Sequence, residues 1–118
     1  MPTYRSPLTQ AKYDEYSKSD KPSLGCSLCE KPAIKTFNFW KITKNDFPYD
    51  KISGTHHMIC PLRHVKEEEL SKEEMEEFEK IKDEFLHKEY DYIMEATYKI
   101  KTIPKHFHLH LIVMKEGM

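Results

Sequence analysis

Three histidines alternate with apolar residues near the C-terminus, in Lys105-His106-Phe107-His108-Leu109-His110-Leu111-Ile112-Val113-Met114. An extended chain sends successive side chains to opposite faces, so His106, His108 and His110 share one face and Phe107, Leu109, Leu111 and Val113 the other. At a rise of ~3.3 Å per residue, neighbouring members of the row have Cα atoms roughly 6.6 Å apart, close enough for two imidazoles to grip one phosphate. A lone strand histidine is ordinarily a surface or satisfied core residue. Three in strict alternation, on the reverse of an equally strict apolar face, read as a site. Cys26-Ser27-Leu28-Cys29 is the second candidate: the chain has 3 cysteines, and a Cys-x-x-Cys pair in an intracellular chain points to metal binding or redox chemistry rather than a structural disulfide. Cys60 reads as a buried small hydrophobe.

The elements around these residues predict an α+β domain. Gly25 and Pro32 bracket the cysteine pair as a turn. Ile34 to Thr43, rich in aromatic and β-branched residues, reads as one strand, and His56 to Cys60 as another that ends at Pro61. Lys44 to Asp50 carries turn chemistry, and Ser53-Gly54 reads as a second turn. The clearest helix has Ser71 as N-cap, Glu74 three residues on to complete a capping box, and Leu70 with Met75 as a hydrophobic staple. It should run from about Lys72 to His87, with Met75, Phe78, Ile81 and Phe85 as its buried stripe. Asp91 to Thr97 and Tyr98 to Thr102 read as a strand or hairpin arm before the histidine strand. Connections this short leave no room for repeated βαβ crossovers, so the sheet should be antiparallel with one long helix packed on it. Residues 1–25 form a polar arm with a short helix from about Pro7 to Ser17, capped by Ser6 and held loosely outside the core. Residues 26–118 form the domain.

At 118 residues the chain is one domain that buries about two thirds of its extended surface. A third of it is charged, yet the net charge is -1, which argues against a nucleic-acid backbone binder. No apolar run approaches the ~18 residues of a membrane span, and Met-Pro-Thr-Tyr-Arg lacks the apolar core of a signal peptide. A soluble cytoplasmic protein is expected.

Three blocks carry a resemblance to the histidine triad (HIT) superfamily of nucleotide hydrolases and transferases. His106-Phe107-His108-Leu109-His110-Leu111-Ile112 resembles its His-φ-His-φ-His-φ-φ signature. Thr55-His56-His57-Met58-Ile59-Cys60-Pro61-Leu62-Arg63-His64-Val65 is similar to its upstream strand with Pro-x-x-His, and Asn45-Asp46-Phe47-Pro48-Tyr49 to its Asn-x-x-Pro-Tyr segment. The likeness spans residues 26 to 114. It implies a HIT-like fold and cleavage at the α-phosphate of a nucleotide through a covalent nucleotidyl-histidine, with His108 as the nucleophile. A neutral imidazole, with an unperturbed pKa of about 6.5, suits that role at pH 7. By the same resemblance His110 contacts the phosphate and assists the leaving group, His56 sits opposite, Asn45 meets the ribose hydroxyls, and backbone N–H groups near Leu109 to His110 stabilise phosphoryl oxygens. The implied substrates are phosphoramidates, dinucleoside polyphosphates or sugar nucleotides, and the implied assembly is a homodimer.

Some branches of the family carry a structural zinc, and the matching ligands are Cys26, Cys29, His64 and His106. This makes His106 an anchor for the strand that bears His108. Two departures fall where substrate would lie: Glu95 to Lys105 holds no glycine where the family commonly has a glycine-rich loop, and there are extra residues between Pro48 and His56. They motivate a second expectation, a zinc-stabilised nucleotide-binding module without turnover. A Cys-x-x-Cys oxidoreductase is the third, weakened by the absence of a helical pattern after the pair.

Overall fold

The computed structural model describes residues 3–18, 26–97, 99, 103 and 105–116. Five strands, β1 (Ala33–Thr36), β2 (Trp40–Lys44), β3 (Ser53–Pro61), β4 (Tyr92–Met94) and β5 (Leu109–Met114), form one sheet in the order β1-β2-β3-β5-β4. Every neighbouring pair is antiparallel. β3 is the central strand, and its register against β5 sets His56 opposite Ile112 and Met58 opposite His110. This is the expected α+β class, an antiparallel sheet with one long helix.

Two strand expectations change in detail. Residues 34–43 are not one strand but a hairpin, because the alternation breaks at Phe37-Asn38-Phe39 and the Phe37 N–H closes the turn on the Trp40 carbonyl at 2.7 Å. The Glu77 carboxylate fixes that turn by accepting the Asn38 and Phe39 N–H groups. Ser53-Gly54 is not a turn: the chain reverses earlier, where the Ile52 and Ser53 N–H groups bond to the Tyr49 carbonyl, and the pairing carries a bulge between Ser53 and Thr55. The expected second stretch, Tyr98 to Thr102, lies mostly outside the described residues.

The long helix starts as expected. Ser71 Oγ accepts the Glu74 N–H and the Glu74 carboxylate accepts the Ser71 N–H, the complete capping box. The segment α3 (Lys72–Ile81) then passes through one π turn (Lys82–Leu86) into α4 (His87–Glu89). A π turn inserts one residue, so the buried position after Ile81 is Leu86, five residues on, rather than Phe85. Leu86 is fully buried and Phe85 only packs at the margin of the core. At the start of the helix the inward residue is Glu74, which leaves Met75 50% exposed and not a core residue. Burying Glu74 is tolerated because Arg63 reaches both of its oxygens, at 2.6 and 3.1 Å, and holds the carboxyl below the usual carboxylate range.

The helix and the alternation of the strands divide the interior. On one side Trp40, Ile42, Ile59, Phe107, Leu109 and Leu111 pack with Ile81 and Leu86. On the other, Met58 and Cys60 pack with Leu28 of the short helix α2 (Ser27–Glu30). The N-terminal helix α1 (Pro7–Lys18) is capped by Ser6 Oγ, which accepts the Thr9 N–H. No described side chain of the arm is buried, but the arm is not loosely held: Arg5, Ser6 and Thr9 hydrogen-bond to Phe47 and Asp50 in the loop between β2 and β3. No helix among the described residues is long and apolar enough to cross a membrane.

Candidate functional site

The histidine row lies on the face away from the long helix, and all three rings are buried: His106 at 0%, His108 at 4% and His110 at 6% exposure. β5 begins at Leu109, so His106, in a bend, and His108 precede the strand rather than lying on it. Leu109 points its side chain into the helix-side core, which leaves only its backbone for a ligand.

At one end of the row, Cys26, Cys29, His64 and His106 bring four ligand atoms within 4.8 Å of one another, a group that could hold a metal ion. His106 Nδ1 lies 3.3 Å from Cys26 Sγ and 3.4 Å from Cys29 Sγ, and His64 Nδ1 is 3.4 Å from Cys29 Sγ. The ring of His106 has a settled tautomer: Nε2–H donates to the Pro61 carbonyl at 2.9 Å, so the lone pair is on Nδ1, facing the thiols. Burial, then the neighbouring Cys26, push the Cys29 thiol up. Two thiols brought this close to each other and to two imidazoles suit a shared cation, which would favour their thiolate forms. Lys41, almost fully buried on the same face, donates from Nζ to the Cys29 and Lys31 carbonyls and so braces the turn that carries both cysteines. Cys60, buried nearby, has its thiol pushed up to about 12 by burial and is inert.

The other end is a buried cluster of imidazoles. The Tyr49 N–H donates to His56 Nδ1 at 3.0 Å. A neutral ring whose Nδ1 accepts carries its proton on Nε2, and that N–H points at His110 Nδ1, 2.8 Å away. Burial, and then the charge of Arg5, lower His56 to about 4, so it is neutral at pH 7. By the same rule a neutral His110 carries its proton on Nε2. Asn45 Nδ2 sits 3.3 Å from His56 Nε2, but two N–H groups face each other there, so this is contact rather than a hydrogen bond. Asn45 is nearly buried and spends its Oδ1 on the Phe47 N–H at 2.8 Å, a turn within its own loop.

Between the two ends stands His108. Its Nδ1–H donates to the His106 carbonyl at 3.0 Å, which puts the lone pair on Nε2, and its ring centroid lies 5.3 Å from that of His110. The structure therefore places Cys26, Cys29, His64 and His106 at the end that could hold a metal, His56, His110 and Asn45 at the other, and His108 between them, while the Leu109 side chain is turned away into the helix-side core. A cavity of about 350 Å³ opens nearer α2 and the end of β2, lined by Ser27, Glu30, Lys31, Pro32, Lys44 and Asp46.

Sequence reasoning missed three supports. Arg63, next to His64, forks onto buried Glu74 and ties the loop that carries His64 to the helix. Lys41 braces the cysteine turn, and Tyr49 sets His56 through its backbone. Only the last had a signal, since it closes the Asn-x-x-Pro-Tyr segment. No protein-family model matches the chain and no curated protein matches it, so its site is read from its own geometry.

Proposed function

We propose that the chain is a HIT-like nucleotide hydrolase or nucleotidyl transferase that cleaves at the α-phosphate through a covalent intermediate on His108. The observation that carries this reading is the hydrogen bond from His108 Nδ1 to the His106 carbonyl: it fixes the tautomer whose Nε2 lone pair is the nucleophile. Nε2 attacks the α-phosphorus, the N–P bond forms and the bond to the leaving group breaks with its electron pair. The ring becomes cationic, and its Nδ1–H donates more strongly to the carbonyl as that charge develops, which favours the transition state over the ground state. His110, oriented by His56, offers Nε2–H to a phosphoryl oxygen or the departing atom. Water or an acceptor then displaces His108. Asn45 Nδ2, beside His56, is the donor for a ribose oxygen.

Zinc is the metal that fits Cys26, Cys29, His64 and His106. Tetrahedral zinc with Zn–S of about 2.3 Å and Zn–N of about 2.0 Å sets sulfur and nitrogen ligands roughly 3.5 Å apart, against 3.3 to 3.4 Å between these atoms. When bound it closes the site structurally and anchors the lead-in to β5. The chemistry stays with the histidines.

Entry to the site bears on this reading, because His108 is only 4% exposed and Ile103 packs on the Leu28, Met58 and Cys60 cluster of the same face. A nucleotide must displace part of that cover. Incubation with adenosine phosphoramidate, a dinucleoside polyphosphate and a sugar nucleotide tests the proposal. Wild-type turnover of at least one substrate, lost in His108→Ala with binding retained, supports it. Equal turnover by the variant refutes the mechanism, and nucleotide-induced thermal shifts without product indicate the binding module that the glycine-free loop suggests.

A further inference from the structure

The loop that holds His56 is itself held from outside the core. Asp50 accepts hydrogen bonds from the Ser6 N–H, Ser6 Oγ and Thr9 Oγ1, so it caps the first turn of α1 from across the molecule. Three bonds keep the Asp50 carboxyl down at about 2. On the near side of Tyr49, Arg5 Nε donates to the Phe47 carbonyl at 2.8 Å, and Tyr13 and Tyr16 pack on the Phe47 ring at 5.4 and 5.1 Å. On the far side the Lys51 N–H donates to the Tyr4 carbonyl at 2.8 Å. The Arg5 guanidinium lies 4.3 Å from the Tyr13 ring and 5.1 Å from the Tyr49 ring. Tyr49 is thus pinned from both directions by one short stretch of chain.

Tyr49 passes that constraint to the site. Its N–H bonds His56 Nδ1, and its ring lies 4.4 Å from the His56 ring and 5.2 Å from the His110 ring. If the loop loosens, His56 can move its proton to Nδ1, and Nε2 then has nothing to donate to His110. We propose that the N-terminal arm, through Arg5, Asp50 and Tyr49, is the positioning element that fixes the orientation and tautomer of His56 and so of His110. The groups facing His56 are Arg5 from the arm, Tyr49 and Asn45 from the loop, His110 from β5 and His57 beside it. Arg5 is the permanent cation among them, and it disfavours a second proton on the His56 ring. The tautomer claim is independent of catalysis; its effect on turnover rests on the function proposed above.

The test is imidazole 15N NMR of the full chain with its metal, in wild type, Asp50→Ala and Arg5→Met, beside steady-state kinetics. In wild type His56 should show one tautomer, Nδ1 bare and Nε2 protonated. Each variant should shift that signal toward a tautomer mixture and lower kcat by about 10-fold with KM changed less, as expected for a displaced catalytic group. Asp50→Ala and Arg5→Met with the wild-type His56 signal and kcat overturn the proposal. If Asp50→Ala fails to fold, Arg5→Met decides, since it leaves the Asp50 cap intact. A wild type that shows the single tautomer but turns over no nucleotide refutes the proposed function and leaves the positioning role standing.

Discussion

His106 and His110 are four residues apart on the same face, and they are held in opposite ways. His106 donates from Nε2 to a carbonyl of β3 and turns Nδ1 to two thiols; His110 accepts at Nδ1 from another histidine. The partner of one ring nitrogen decides what the other can do, so a single run of imidazoles turns a lone pair toward a group that could hold a metal at one end and, in the proposed function, a proton donor toward substrate at the other. The supports differ as well. The first end is braced by Lys41 of β2 and by Glu74 of α3, which holds the loop residue Arg63. The second depends on a loop fastened to the arm.

The sharpest break in the comparison comes from removing the metal end. Cys29→Ser or His64→Ala, or chelation of the wild type, should lose stoichiometric metal and lower Tm on the order of 10 °C, because a closed metal site contributes directly to folding. Metal analysis with thermal unfolding checks this. His110→Ala should do the reverse: turnover falls about 10²- to 10³-fold while metal content and Tm stay near wild type. Equal losses of metal in both variants would dissolve the distinction between the ends.

Acid offers a finer cut. His56 is lowered from 6.5 to about 4 in the folded chain. The unfolded chain therefore binds its proton first, and the stability present above pH 6.5 is lost as pH falls toward about 4. The shift corresponds to at most about 3 kcal/mol. Residues that could hold a metal also protonate on acidification, so urea unfolding should compare wild type with His56→Gln: the difference between them shrinks from pH 7 to pH 4 if His56 contributes as described. The smallest effect is expected from Asn45→Ala, which removes the Asn45–Phe47 turn bond and should cost about 1 kcal/mol, with metal content unchanged.

These two ends were unequally legible in the sequence. Alternation alone placed the histidines on one face and Phe107, Leu109 and Leu111 in the core, because a strand's period is a local property. Cys26-x-x-Cys29 signalled metal or redox chemistry by spacing, while His64 and His106 entered as its partners through the resemblance. The capping box at Ser71 and Glu74 was likewise local. What could not be read was long-range: that Asp50 would cap a helix 41 residues earlier at Thr9, or that Arg63 would let Glu74 take the core position assigned to Met75. The π turn that exchanged Phe85 for Leu86 is a one-residue change of phase, which a 3.6-residue pattern cannot register.

The stereochemical course at phosphorus tests the covalent account most directly. With a substrate made chiral at the α-phosphorus and hydrolysed in isotopically labelled water, attack by His108 followed by attack by water inverts the centre twice and gives net retention. Net inversion would mean a single displacement by water, with no nucleotidyl-histidine on the path.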